Sequence, residues 1–215
     1  MSPTLRAGFT PVTDPTAKPA GETVVLLHGL GLGSWAMKRF EIALRRDGYE
    51  VVNLSYPSRT MPLEQLADQW LPRVLHENDA DTATQLHFVT HSMGGILLRL
   101  WLRDQTATTT NYQFPTPNYS GRLGRIVMLA PPNAGSEVVD RLIDFSPFRW
   151  ITSVNGRRLG TGPDSLPRLL GPWTSTGRLG IIAGNRPFNP LFSAWMGGPN
   201  DGKVSVASAQ LEGHE

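Results

Sequence analysis

Ser92 stands in Thr90-His91-Ser92-Met93-Gly94-Gly95, between the apolar stretch Leu86-His87-Phe88-Val89 and a second apolar run that begins at Ile96. A serine hydroxyl attacks a carbonyl only when a base removes its proton. A sharp strand-to-helix turn lifts such an oxygen clear of a sheet edge, and small neighbours give the turn its clearance. The usual pattern, Gly-x-Ser-x-Gly, is present here with Thr90 in place of the first glycine. The turn also opens a helix, whose free N–H groups favour negative charge. The pentapeptide alone is a modest signal. The strand pattern before it and the helix pattern after it are what the chemistry requires.

Acyl transfer needs N–H donors aimed at an oxyanion, each worth roughly 3–4 kcal/mol of transition-state stabilisation. The backbone N–H of Met93, directly after the serine, is one candidate. The second comes from the loop after the first strand, His28-Gly29-Leu30-Gly31-Leu32-Gly33, with the Leu30 amide best placed. A plain glycine-rich turn is the alternative reading of this loop. Its spacing fits neither Gly-x-Gly-x-x-Gly nor a P-loop, so a phosphate cradle is not expected. The acid should follow a later strand. Asp201, in Pro199-Asn200-Asp201-Gly202, is the leading candidate, although the same tetrapeptide suits a simple turn. Asp140 and Glu137 compete with it. Of the other histidines, His91 should point away from its neighbour Ser92, and His28 could orient the glycine loop by bonding to backbone. His76 and His87 read as surface residues. No histidine pair has metal-ligand spacing, so no metal and no cofactor is expected.

These residues need elements to hold them. Apolar runs at Thr23–Gly29, Tyr49–Pro57, Gln85–Ser92, Gly124–Pro132 and Gly177–Gly184 read as strands. Helical patterns span Ser34–Gly48, Met61–Asn78 and Met93–Gln105, with Pro72 kinking or dividing the second. In the first, Trp35, Met37, Phe40, Ala43 and Leu44 suggest the apolar face. Alternating apolar strands and helices predict an α/β fold, a mostly parallel sheet with helices on both faces. Ligands then sit beyond the carboxyl ends of the strands. Residues 1–22 read as an irregular lead-in. Residues 133–176 contain one helix near Ser136–Phe145 and read as a lid or cap insert.

The 215 residues suit one domain, 1–215. The formal charge is +2 and no basic run exceeds a pair, which argues against a nucleic-acid partner. The absence of cysteine excludes disulfides, thiolate sites and cysteine nucleophiles. No apolar run reaches the roughly 20 residues of a membrane span. The first residues lack the apolar core of a secretory signal, which slightly favours the cytoplasm.

The stretches VVLLHGLG, NLSYPSR, VTHSMGG, MLAPPNAGS, IIAG and NDGKVSV together resemble α/β-hydrolases of the serine esterase and lipase type. The likeness is to bacterial acyl hydrolases described as triacylglycerol lipase-like or inositol-deacylase-like, and it covers nearly the whole chain. The resemblance implies the α/β-hydrolase fold, Ser92 as nucleophile, Asp201 as acid, and Leu30 and Met93 as oxyanion donors. It also implies a histidine after one further strand, followed by a final helix. Only 14 residues follow Asp201, with His214 the sole histidine among them. The expectation is a sheet lacking its last strand and helix, with His214 as a stand-in base and the true base beyond Glu215. An unpaired sheet edge would follow. The implied reaction is cleavage of carboxylic esters, including lipids, by an acyl-enzyme on Ser92. Thioester cleavage or acyl transfer by the same machinery, or a non-catalytic binding protein on the same fold, are the alternatives.

Overall fold

Val24, Val25, Leu26 and Leu27 are all buried, which a strand achieves only when both faces of its sheet are covered. They lie in β1 (Glu22–Leu27), flanked by β2 (Glu50–Asn53) and β3 (Gln85–His91), with β4 (Leu123–Leu129) and β5 (Arg178–Ile182) beyond. All pairings are parallel, in the order β2-β1-β3-β4-β5. This computed structural model describes residues 21–106, 119, 121–142, 154–187, 196 and 198–213.

Side chains of β1 alternate between two cores. Val25 and Leu27 join the larger one with Phe88, Ile96, Leu97, Trp101, Ile126 and Met128. Val24 and Leu26 join the smaller one with Met37 and Val51. Helix α1 (Lys38–Arg46) covers the smaller core. The larger core is covered by α2 (Leu63–Gln65), α3 (Leu71–Glu77) and α4 (Met93–Thr106). Each large apolar side chain buried there contributes roughly 1.5–3 kcal/mol. From β1 the chain steps to β2 on one side; from β3 it steps to β4 and β5 on the other. The loops leaving β1 and β3 therefore part, and open a crevice at the carboxyl edge between them.

Several elements differ from the sequence reading. β2 stops at Asn53 instead of running to Pro57, because Tyr56 leaves the sheet to stack on His28 at 3.9 Å. The 61–78 helix is divided, as Pro72 predicts, here by a π-helical stretch, Leu66–Trp70, between α2 and α3. This wider turn accommodates Pro72, which has no N–H to donate, without breaking the rod. Trp35 does not join the apolar face of α1; it is 70% exposed. It sits in a 3-10 turn, Ser34–Met37, whose tighter pitch rotates it away from Met37 and Leu44. His87 is not a surface residue. It is 8% exposed, its Nε2 is 2.9 Å from Glu22 and its Nδ1 accepts the Arg125 N–H at 2.8 Å.

The lead-in expected over 1–22 lies outside the described residues except for its end, and Glu22 already pairs in β1. Within 133–176 the described elements include α5 (Glu137–Leu142), a 3-10 turn Arg157–Leu159 and α6 (Leu166–Leu169). Phe145, Phe148 and Trp150 lie outside the described residues, whereas Trp173 packs against the main core. Among the described residues β5 borders β4 alone, and Ile182 is 61% exposed. No helix among them is long and apolar enough to cross a membrane.

Candidate active site

Ser92 occupies the left-handed region, φ 51°, between the end of β3 and the start of α4. A serine there costs roughly 1–3 kcal/mol, and such strain persists only where the surroundings hold it. Here the Ser92 N–H donates to the Leu129 carbonyl at 2.9 Å, and its own carbonyl accepts the Gly95 N–H at 2.9 Å. The clearance comes from glycine. A Cβ on Gly94 would lie 2.5 Å from the Leu27 carbonyl oxygen. A Cβ on Gly29 would lie 3.2 Å from Ser92 Cβ, so the loop after β1 runs directly against the Ser92 turn.

That loop is held by a histidine. His28 is wholly buried; its Nε2 accepts the Tyr56 N–H at 3.1 Å, so the ring proton is on Nδ1. Nδ1 then donates to the Gly29 carbonyl at 2.8 Å. The Tyr56 hydroxyl donates in turn to the His28 carbonyl. In a trans peptide the N–H points opposite to the C=O. With the Gly29 carbonyl tied to His28, the Leu30 N–H is turned the other way, and it donates to no acceptor among the described residues. Gly31, φ 71°, completes the turn, its N–H donating to Ser58 Oγ at 3.0 Å. The Met93 N–H, first in α4, is one of the donors a helix start leaves free. The Met93 side chain itself is fully buried.

Asp201 lies against the end of β5, where a Cβ on Gly184 would come within 2.8 Å of its Cβ. Its Oδ1 accepts the N–H groups of Lys203 and Val204, both at 2.8 Å. Nothing among the described residues donates to Oδ2, so this oxygen is open to a histidine N–H. Each competing carboxylate bonds another group, although Glu137 Oε2, like Asp201 Oδ2, has no hydrogen-bond partner among the described residues. Asp140 accepts the N–H and hydroxyl of Thr161, and Glu137 accepts the Ser205 hydroxyl at 2.9 Å. His91 projects from β3 on the face opposite Thr90, and a Cβ on Gly29 would lie 2.9 Å from its Nδ1. Burial lowers its pKa; the Lys203 charge lowers it further, and the Asp201 charge opposes the shift. His91 is thus within electrostatic reach of Asp201. His214 lies outside the described residues.

The sequence reading passed over three supports of this edge: Tyr56, Ser58 and Asn155. Asn155 is fully buried and donates to the Ser58 and Met61 carbonyls while accepting the Leu63 N–H. Tyr56 falls inside the strand expected over Tyr49–Pro57, and Ser58 is visible as a polar residue just past it. Asn155, 97 positions from Ser58, carried no local signal.

Burial holds the His28 pKa below its ordinary value. The unfolded chain therefore takes up this proton first as the pH falls. Stability from His28 is complete above about pH 6.5 and declines as pH drops towards the folded value. The melting temperature is expected to fall between about pH 6.5 and 5, and less steeply in His28→Gln. Equal slopes for both proteins would remove His28 as the cause; His91, also lowered, supplies the slope that remains.

The profile of a family described as "Alpha/beta hydrolase family" matches residues 24–209. Among solved structures, the mature form of a Bacillus licheniformis lipase superimposes with a TM-score of 0.67 at 20% identity, covering 94% of this chain and 82% of that one. A metagenomic carboxyl esterase gives 0.61 at 20% identity, over 98% and 68% of the two chains. A Legionella pneumophila phospholipase gives 0.63 at 16% identity, over 88% of this chain and 45% of its own. At such identities the likeness is one of fold. No curated protein matches the chain.

Proposed function

The chain belongs to the alpha/beta hydrolase family, and from that membership we propose that it is a serine hydrolase cleaving carboxylic esters, lipid esters among them. The observation that carries this reading is the strained Ser92 turn, φ 51°, set against a glycine loop whose free amide is oriented by His28. Ser92 Oγ attacks the ester carbonyl carbon and gives its proton to a histidine base. The Leu30 and Met93 N–H groups hold the oxyanion. The base returns the proton to the departing alcohol, leaving an acyl-enzyme, and a water molecule activated by the same base releases the acid. Asp201 Oδ2 accepts the N–H of that histidine and stabilises its cation. His214 is the candidate base within this sequence. Thioesters would react through the same steps.

The test is covalent. A fluorophosphonate probe is expected to add once to the folded protein, on the peptide containing Ser92, and not to Ser92→Ala. Parallel assays use p-nitrophenyl acetate and octanoate. A folded, unlabelled, inactive parent protein would favour the binding-protein reading instead.

A further inference from the structure

Asp201 lies on a loop beyond β5, and the segments that bond to this loop fix its position. The described contacts run to the segment after β4. Ser136 Oγ donates to the Lys203 carbonyl at 2.8 Å, and the Ala134 N–H donates to the Ser208 carbonyl at 2.9 Å. Ser208 Oγ donates to the Gly135 carbonyl, and Ser205 Oγ to Glu137. Asn133 Nδ2 donates to the carbonyl of Ala209, the last residue of α7 (Val206–Ala209), at 2.8 Å. Residues 133–137 are thus the platform on which the acid loop rests.

That platform is fastened from α4. Arg99, seven residues after Ser92, is 5% exposed. Its Nη1 donates to both Asn133 O and Asn133 Oδ1 at 3.1 Å. Its Nη2 donates to the Pro167 carbonyl at 3.3 Å and to the Gly171 carbonyl at 2.6 Å. Burial lowers the guanidinium pKa to about 10, which leaves it charged at neutral pH. A buried cation held by neutral oxygens is stable only while those bonds persist. The arrangement therefore ties α4, the platform and the end of α6 into one geometry.

We infer that Arg99 is a positioning residue for the acid: acting through Asn133 and residues 134–137, it sets Asp201 relative to Ser92. The inference rests on Asp201 being the catalytic acid. A displacement of about 1 Å in such a constellation costs on the order of 100-fold in rate.

A double-mutant cycle separates this role from plain structural support. Arg99→Met, which keeps much of the bulk, is expected to lower kcat on p-nitrophenyl acetate about 100-fold with KM within about threefold. In an Asp201→Asn background the same change is expected to cost less than about threefold, because the geometry it protects is already idle. Asn133→Ala provides the same cycle if Arg99→Met does not fold. Equal losses in both backgrounds overturn the positioning role while leaving the acid reading intact. Parental turnover in Asp201→Asn overturns the acid reading, and the inference with it. Independently of turnover, hydrogen exchange over residues 199–209 is expected to accelerate about tenfold in Arg99→Met, with β1 and β3 unchanged. Unchanged exchange at 199–209 also overturns the inference.

Discussion

Ser92→Gly is expected to melt slightly above Ser92→Ala and to hydrolyse no ester. Ser92 has φ 51°, which strains any residue with a Cβ. Alanine retains that strain, whereas glycine releases roughly 1–2 kcal/mol of it. The greater freedom of glycine in the unfolded chain offsets roughly 0.5–1 kcal/mol. The remainder corresponds to a melting temperature about 2 °C higher. Both substitutions remove the proposed nucleophile, and the expected fall in kcat is about 10^6-fold. Calorimetry and an ester assay on the three proteins check this. Turnover in either variant above about one per cent of the parent would place the chemistry elsewhere, since the residue left after losing a nucleophile is far smaller. A Ser92→Gly protein that melts below Ser92→Ala would show that the turn is not strained.

Gly94→Ala carries the second large effect. The added methyl would lie 2.5 Å from the Leu27 oxygen, 2.9 Å from the His28 oxygen and 3.0 Å from the Leu27 carbonyl carbon. All three are backbone atoms, so helix α4 must move away from β1 or the strand must bend. The expected cost is about 3 kcal/mol, a fall of roughly 10 °C in melting temperature. Because the displaced atoms begin the loop that carries Leu30, ester turnover is also expected to fall about 100-fold. Gly95→Ala is the control. Its methyl would meet only the Pro131, Thr90 and Met128 side chains, at 3.2–3.4 Å. That contact is tight but can be relieved, and the change is expected to stay within about 1 kcal/mol. A Gly94→Ala protein as stable as Gly95→Ala would mean that the close approach of α4 to β1 is not fixed.

Local pattern alone determined the parallel α/β sheet, the strand-turn-helix at Ser92 and the glycine loop opposite it. Short apolar β-branched runs bounded by Gly or Pro favour buried strands, although β5 is covered far less than β1; glycines at 29 and 94 mark backbone that must approach closely, and Gly31 marks a positive φ. These are short-range consequences of side-chain shape, so a single sequence displays them. The places where pattern misled are those where a distant partner overrides a local preference. His87 looked exposed, but its ring receives the Arg125 N–H from the neighbouring strand. Trp35 looked internal, but a 3-10 turn carries it out to solvent. Tyr56 should have extended β2, but stacks on His28 instead. The identity of the base was legible only as a shortage: His91 was expected to point away from its neighbour Ser92, and His214 was the one histidine left after Asp201. The way Asp201 is held was not legible at all. It depends on Arg99 and Asn133, 34 positions apart, and on Ala209, a further 76 beyond. Neutral carbonyl acceptors leave no trace in side-chain sequence, because every residue has one. Only the tertiary structure decides which of them a buried guanidinium will meet.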